Sequence, residues 1–308
     1  IHICWLVDLA GRKINEIQGS ELTYFFGPQW LKGYQSNNGL FFDFLPPGSS
    51  LDHYHNRNDS KEYDACFLGH IPLPWDQQLL ERKILDHPDQ VINFGDVVET
   101  FEQDWALRDE IGNNDDYIDH IVGWVRGKSG VTIEIPVGPL RYDIGCRLIR
   151  QSRRYLYMKA LLDNKVFPKL GIWGSENWRR YEEFQYLYHG FLSTPQEMND
   201  LFNRSRYVLH EGVGLHFRVF DSLAAGVPLI IRESKNDAEF GGLATYFSEG
   251  EHFLSFDLAS VEVLKEKIEI HQRRITNSEI DVSRIIKEKH TWRSRAEKII
   301  NDIGDFLG

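Results

Sequence analysis

Apolar positions along the chain come in short blocks separated by polar, glycine- or proline-containing turns, and the clearest series runs from residue 188 to residue 231. YLYHG closes on Gly190, and Phe191 and Leu192 lead into Ser193-Thr194-Pro195-Gln196-Glu197. Thr194 followed three positions later by Glu197 is a capping box. Pro195 falls on the first helical position, where its missing N–H costs nothing. Met198, Leu201 and Phe202 give the apolar stripe of a short helix. A strand is predicted over 206–210, then the loop 211–215, then a second helix from Phe217 to Ala225. Gly226 suits the left-handed residue that ends that helix, and Pro228 follows it. The apolar run 227–231 has the pattern of a strand buried on both faces. Strand, helix, strand, helix, strand in this order predicts a parallel sheet covered by helices.

The same patterning organises the rest of the chain. IHICWLV opens it as a strand with Asp8 at its end; SELTYFFGPQWLKGY and GLFFDFLPPGSS read as a helix-and-strand pair, and residues 46–50 as a linker. YDACFLGH (63–70) and PKLGIWGS (168–175) read as strands. Between them, WDQQLLERKILDH and DDYIDHIVGWVRGK have helical periodicity, and VTIEIPVGP reads as extended. A helix over 145–162 carries Arg147, Arg150, Arg153 and Arg154, either as a solvated basic face or as a phosphate-binding face. HFLSF and a helix with Val261, Leu264 and Ile268 follow. Thr291 caps a final helix whose Trp292, Ala296, Ile299 and Ile303 face a core.

In parallel sheets of this kind ligands bind beyond the carboxyl ends of the strands, where loops meet helix N-termini. The loop 211–215 occupies that place. Gly212 and Gly214 let backbone approach a ligand closely, and the helix that follows offers unpaired N–H groups to an anion. His216 and Arg218 add polar and cationic contacts. Asp221 lies three residues after Arg218, so the two share a helix face. Two readings stand: the carboxylate accepts from the hydroxyls of a ribose with Arg218 nearer the phosphates, or the two side chains pair with each other on a solvated face.

Gly190-Phe191 with the helix HFRVFDSLAAGVPLI resembles the C-terminal half of GT-B-type glycosyltransferases, within them the CgeB-like group with its "hGyvs" turn and "xRxFEaxAxG" helix. HTWRSRAEKII (290–300) resembles the "HTyexRa" segment of the same group, so the resemblance spans about residues 63–300. Asp221 stands where the group has Glu, which shortens the reach of the carboxylate. The resemblance implies an α/β fold of GT-B type: a Rossmann-type donor domain over 61–286, interrupted by a mostly helical insertion at about 71–142. It further implies part of a second, N-terminal Rossmann-like domain over 1–60, and a C-terminal helix at 287–308 that crosses back to it. Only about sixty residues stand where the family has well over a hundred, so the sequence reads as a fragment, or else as a protein with a reduced first domain. It also implies a nucleotide-sugar site in which Asp221 binds ribose, Gly212 and Gly214 belong to the pyrophosphate loop, Gly190, Phe191 and Leu192 lie against the base, and Gly174 faces the cleft.

Glycosyl transfer needs stabilisation of the diphosphate leaving group, assigned here to Arg218, His216 and helix amides; one route also uses a base for the acceptor hydroxyl, assigned to Asp8, while a retaining route assisted by the leaving phosphate needs none. A strand-end Asp capping the next turn is the alternative for Asp8. The expected reaction moves a sugar from a nucleotide-diphosphate sugar to a glycan, lipid-linked or protein acceptor. It needs no cofactor beyond that donor and, by resemblance, no metal; residues 113–116 (Asn-Asn-Asp-Asp) read as a solvated turn rather than a metal site. A catalytically silent nucleotide-sugar or glycan-binding module and a GT-B-fold nucleotide-sugar epimerase are the competing readings. A dehydrogenase is disfavoured, because no G-x-G-x-x-G follows a strand with an acidic residue about twenty positions on.

Composition narrows the partners. A net charge of −11 argues against nucleic acid and anionic membranes as ligands. Cys4, Cys66 and Cys146 cannot pair completely and lack metal-ligand spacing, which favours a reducing, cytoplasmic setting. No apolar run has the length of a membrane span. The eight tryptophans are mostly core material, with Trp30, Trp75 and Trp178 in polar contexts suited to sugar rings.

Overall fold

The computed structural model describes residues 1–7, 16–31, 40–105, 114–212 and 214–307. The chain divides into two compact units, one of residues Ile1–Cys66 and Leu192–Gly308, the other of residues Phe67–Phe191.

In the first unit, β1 (His2–Leu6), β2 (Glu21–Phe25) and β3 (Phe41–Phe44) form a parallel three-stranded sheet in that order. The residues of β2 were expected to be helical. They form a strand whose five residues are all buried, because aromatic and β-branched side chains there fill a sheet covered on both faces. Leu22, Tyr24 and Leu45 make the centre of a cluster joined by Trp5, Phe41, Ile299, Ile303 and Phe306. The last three come from the helix Trp292–Leu307, so the end of the chain packs on the opening sheet. Lys298 and Asp302 extend that contact, pairing with Asp43 and with the Tyr24 hydroxyl. Ala296 is exposed and Arg295 buried, one position round from the apolar face read from the sequence.

A second sheet of this unit runs β11 (Phe253–Phe256), β10 (Leu229–Arg232), β9 (Ser205–His210) and β4 (Tyr63–Leu68), with β10 parallel to both β9 and β11. Its connections are the helices predicted from periodicity. Pro195–Asn203 has its capping box, the Thr194 hydroxyl accepting from the Glu197 amide while the Glu197 carboxylate accepts from the Thr194 amide. Phe217–Ala224 ends where Gly226 turns left-handed at φ +76°, and the amides of Gly226 and Val227 bond back to Leu223 and Ser222. Val261–Thr276 buries Val261, Leu264 and Ile268 as expected.

In the second unit, β7 (Leu170–Trp173) and β8 (Tyr188–Gly190) are parallel neighbours. The stretch expected to be one helix from Trp75 to His87 is helical only over Gln77–Leu80. Residues Lys83–His87 form β5, paired antiparallel with β6 (Gln90–Asn93) across the turn at Pro88-Asp89. Pro88-Asp89 is a turn signal that the helical pattern concealed. The helix over 114–129 is present, residues 131–136 have no regular secondary structure, and the arginine-bearing helix runs Ile149–Asp163 behind a π-helical segment, Asp143–Leu148. One apolar cluster unites these pieces, centred on Phe94, Val97, Phe101, Ile121, Val125, Ile144 and Leu148.

Candidate functional site

Asp221 and the loop before it are the chemical focus of the first unit. The loop leaves β9 at His210, and His216 caps the helix Phe217–Ala224, its Nδ1 accepting from the Arg218 amide at 3.2 Å. Gly214 sits at φ +79°, a backbone that glycine adopts without strain. A Cβ on Gly212 would stand 3.2 Å from the His210 ring, so glycine also leaves room for that buried imidazole. Val213 lies outside the described residues.

Asp221 follows one turn into the helix, and its Oδ1 accepts a 2.8 Å hydrogen bond from the Ser49 hydroxyl. Burial pushes its carboxyl up to about 7; the Ser49 bond and the charge of Arg218 pull in the opposite direction and are outweighed. Desolvation, with a smaller contribution from the Asp221 charge, drives the Tyr54 phenol upward. Arg218 therefore acts on Asp221 as a nearby charge, while the bond to the carboxylate comes from Ser49.

Ser49 was read as part of a linker, yet residues 45–49 are all buried. The Ser49 amide donates to the His290 carbonyl at 2.9 Å, and its carbonyl accepts from the Trp292 amide at 3.1 Å. Gly48 is pressed onto that segment, since an added Cβ would lie 2.7 Å from backbone atoms of Thr291 and Trp292. Arg295 holds this segment in place, donating to the carbonyls of Pro46 and Pro47 and to Nδ1 of His290. Burial and the Arg295 charge lower His290 to about 4, which keeps that ring neutral and able to accept. Trp5, Phe217 and Trp292 meet beside this region with ring centroids 5.6–6.1 Å apart. The available signal was Gly48, a residue without a side chain between a Pro-Pro pair and a serine; its tight packing on Thr291 is a tertiary fact.

Of the other predicted site residues, Gly174, Gly190 and Phe191 stand together in the second unit. The Gly174 amide donates to the Gly190 carbonyl at 2.9 Å, and Gly190 has φ +125°. Gly174 has φ +142° and lies so close to Gly69 that a Cβ would fall 1.9 Å from its carbonyl oxygen. Phe191 is exposed and stacks on His70 at 6.4 Å between centroids. Leu192 follows next in the chain. Asp8 lies outside the described residues, as do the side chains of Trp30, Asp115 and Asp116. Trp178 is fully buried, its Nε1 donating to the Gly69 carbonyl at 2.8 Å, so it serves the core and faces no sugar. Trp75 is held between Phe94 and the Arg147 guanidinium, 3.9 Å above its ring. Among the described residues no group of three or more His, Cys, Asp or Glu is placed to hold a metal ion, and no helix is long and apolar enough to cross a membrane.

Residues 150–301 match a protein family described as glycosyl transferase-like. That stretch, just under half of the chain, is thus similar to this family. The matched stretch carries Gly174, the turn 190–192, the loop 211–215, Arg218 and Asp221. No curated protein matches the chain. Among solved structures, a sucrose-phosphate synthase from Thermosynechococcus elongatus aligns with 93% of this chain and 58% of its own, at 10% identity and a TM-score of 0.45. TarM aligns with 91% of this chain and 43% of its own, at 10% identity and a TM-score of 0.41. The chain thus spans less than two thirds of either protein.

Proposed function

We propose that the chain is a GT-B-type glycosyltransferase that moves a sugar from a nucleotide-diphosphate sugar to a glycan, lipid-linked or protein acceptor. The observation that carries this reading is the Asp221 carboxylate, half-buried one turn into a helix whose N-terminus follows a glycine loop, within the glycosyl transferase-like stretch. A half-buried carboxylate beside a helix N-terminus and a guanidinium is suited to a ribose joined to a diphosphate.

In this proposal Asp221 accepts from the ribose hydroxyls, with the Ser49 hydroxyl fixing the carboxylate. Gly212, Gly214 and the helix amides take the pyrophosphate; Arg218 and His216 stabilise the charge that grows on it as the glycosidic bond breaks. Gly174, Gly190, Phe191 and Leu192 are proposed for the base, and Asp8 for the acceptor base. The transferred group is proposed to be a hexose or a related sugar, the reaction to need no metal or further cofactor, and the setting to be cytoplasmic, as three cysteines that cannot pair completely suggest.

Isothermal titration with UDP, GDP, ADP and CMP, followed by assays of nucleotide diphosphate release from the matching sugar donors, tests the reading. Tight binding by the wild-type chain and its loss in Arg218→Ala and Asp221→Ala, both still folded by circular dichroism, are expected. Binding without release in the presence of any acceptor would instead identify a silent binding module. Release of an epimerised sugar would identify an epimerase. Unchanged binding in both variants would overturn the site.

A further inference from the structure

The second unit holds a cleft of about 510 Å³ whose walls come mainly from residues outside the glycosyl transferase-like stretch, a volume in the range of small-molecule sites. Pro72, Leu73, Pro74 and Leu79 make one wall, and Tyr142, Arg147 and Arg150 stand on the other. The floor is Ser175 and Asn177, both already bonded to Ile71: Asn177 donates to its carbonyl at 2.7 Å, and the Ser175 hydroxyl accepts from its amide at 3.2 Å. A floor locked in this way costs little further ordering when a ligand arrives.

Charge decides what the cleft selects. Arg147 is fixed in place, donating to the Leu73 carbonyl at 2.9 Å while lying over Trp75. Its carboxylate partner among the described residues, Asp143, is shared with Arg82 at 2.6 Å, so one negative charge serves two guanidinium groups. Among the described residues nothing pairs with Arg150, which is exposed at the rim. Asp76 also lines the cleft, but one of its carboxylate oxygens is committed to the Leu79 amide at 2.8 Å. The balance is an excess of cationic donors beside an apolar wall and an exposed tyrosine ring.

We propose that this cleft binds a sugar-sized organic anion, a carbohydrate bearing a phosphate or a carboxylate, with Arg150 and Arg147 on the anionic group and the proline–leucine wall and Tyr142 against the ring. Guanidinium groups match both oxyanions in geometry. Treating this ligand as the acceptor rests on the transferase reading; the anion site itself does not.

Titration calorimetry of the whole chain with glucose 6-phosphate, glucuronic acid and glucose tests the proposal. Affinity for a charged sugar above that for glucose is expected, weakening with salt. Binding by the phosphate alone or the carboxylate alone would also support it, and would identify the oxyanion. Arg150→Glu is expected to weaken charged-sugar binding by about tenfold or more, the scale of a lost charge-assisted contact. Because Arg150 is exposed and pairs with nothing among the described residues, its replacement leaves the fold intact, checked by an unchanged melting temperature. Equal affinity for glucose and the charged sugars, or no effect of Arg150→Glu, would overturn the proposal. Nucleoside diphosphate affinity measured in parallel separates the two sites. A fall in both affinities in Arg150→Glu would place the charged sugar in the nucleotide site and sink this inference. Absent nucleotide binding with intact charged-sugar binding would sink the donor-site reading alone.

Discussion

The carboxyl group of Asp221 has two consequences at the scale of the residue, one for stability and one for ligand binding. Its folded pKa of about 7 lies above the ordinary aspartate value of 3.8, so between the two the folded chain holds a proton that the unfolded chain releases. Stability from this group is full below pH 3.8 and is lost as the pH rises through 7. His290, lowered to about 4, has the opposite sign, its contribution being present above pH 6.5 and lost as the pH falls through 4. The two slopes oppose each other across the same interval. Asp221→Asn removes the first, so its melting temperature should climb with pH between 4 and 7 more steeply than that of the wild type, and exceed it at pH 8. Calorimetric scans at four pH values check this; parallel curves would refute it. For binding, the ionised carboxylate is the stronger acceptor, so nucleotide affinity should rise from pH 6 to pH 8. Ser49→Ala removes a bond that favours ionisation and should move that rise to higher pH, which titration across the range would reveal.

Elements give a different class of expectation, because their formation depends on local geometry. Thr194→Ala removes the side-chain cap of the helix Pro195–Asn203 and should cost about 1 kcal/mol in denaturant unfolding. Gly174→Ala forces a methyl into the Gly69 carbonyl and onto an unfavourable φ, so it should cost more than 2 kcal/mol, on the order of the worst strain and overpacking effects. Gly190→Ala meets open space and is strained only through its φ, so its loss should be the smaller of the two. Equal losses would mean that the close approach at Gly174 is absent in solution. Much at this scale was legible in sequence. Residues 194–210 and 216–231 fold as their caps, stripes and turn residues dictate, because each signal is local. The β5–β6 hairpin and β2 were misread as helices for one reason: short apolar runs fit both periods, and only the partner strand or the covering core decides between them.

For the molecule as a whole, Arg295 is the feature with the widest effect. It is a buried guanidinium that donates to backbone carbonyls and an imidazole, and so ties the segment carrying Ser49 to the end of the chain. Arg295→Leu should lower stability by about 3 kcal/mol, since it leaves those carbonyls and His290 buried without their donors. It should also weaken nucleotide binding by releasing Ser49 from Asp221, an effect that a purely distant destabilisation would not produce at temperatures where the variant is folded. Denaturant unfolding and titration of the same sample provide both readouts.

By itself the sequence determined the alternating strands and helices of the 188–231 region, the capping box at Thr194, the left-handed stop at Gly226 and the placing of Arg218 and Asp221 on one helix face, because these follow from spacing over a few residues. Tertiary structure alone decided that Asp221 is bonded by Ser49, that residues 45–49 are buried rather than a solvated linker, and that Arg295 faces inward where Ala296 was expected to. Ser49 and Asp221 are 172 positions apart. Contacts over such distances leave no periodicity in the chain, and the desolvation that moves the Asp221 carboxyl to about 7 exists only once they have formed.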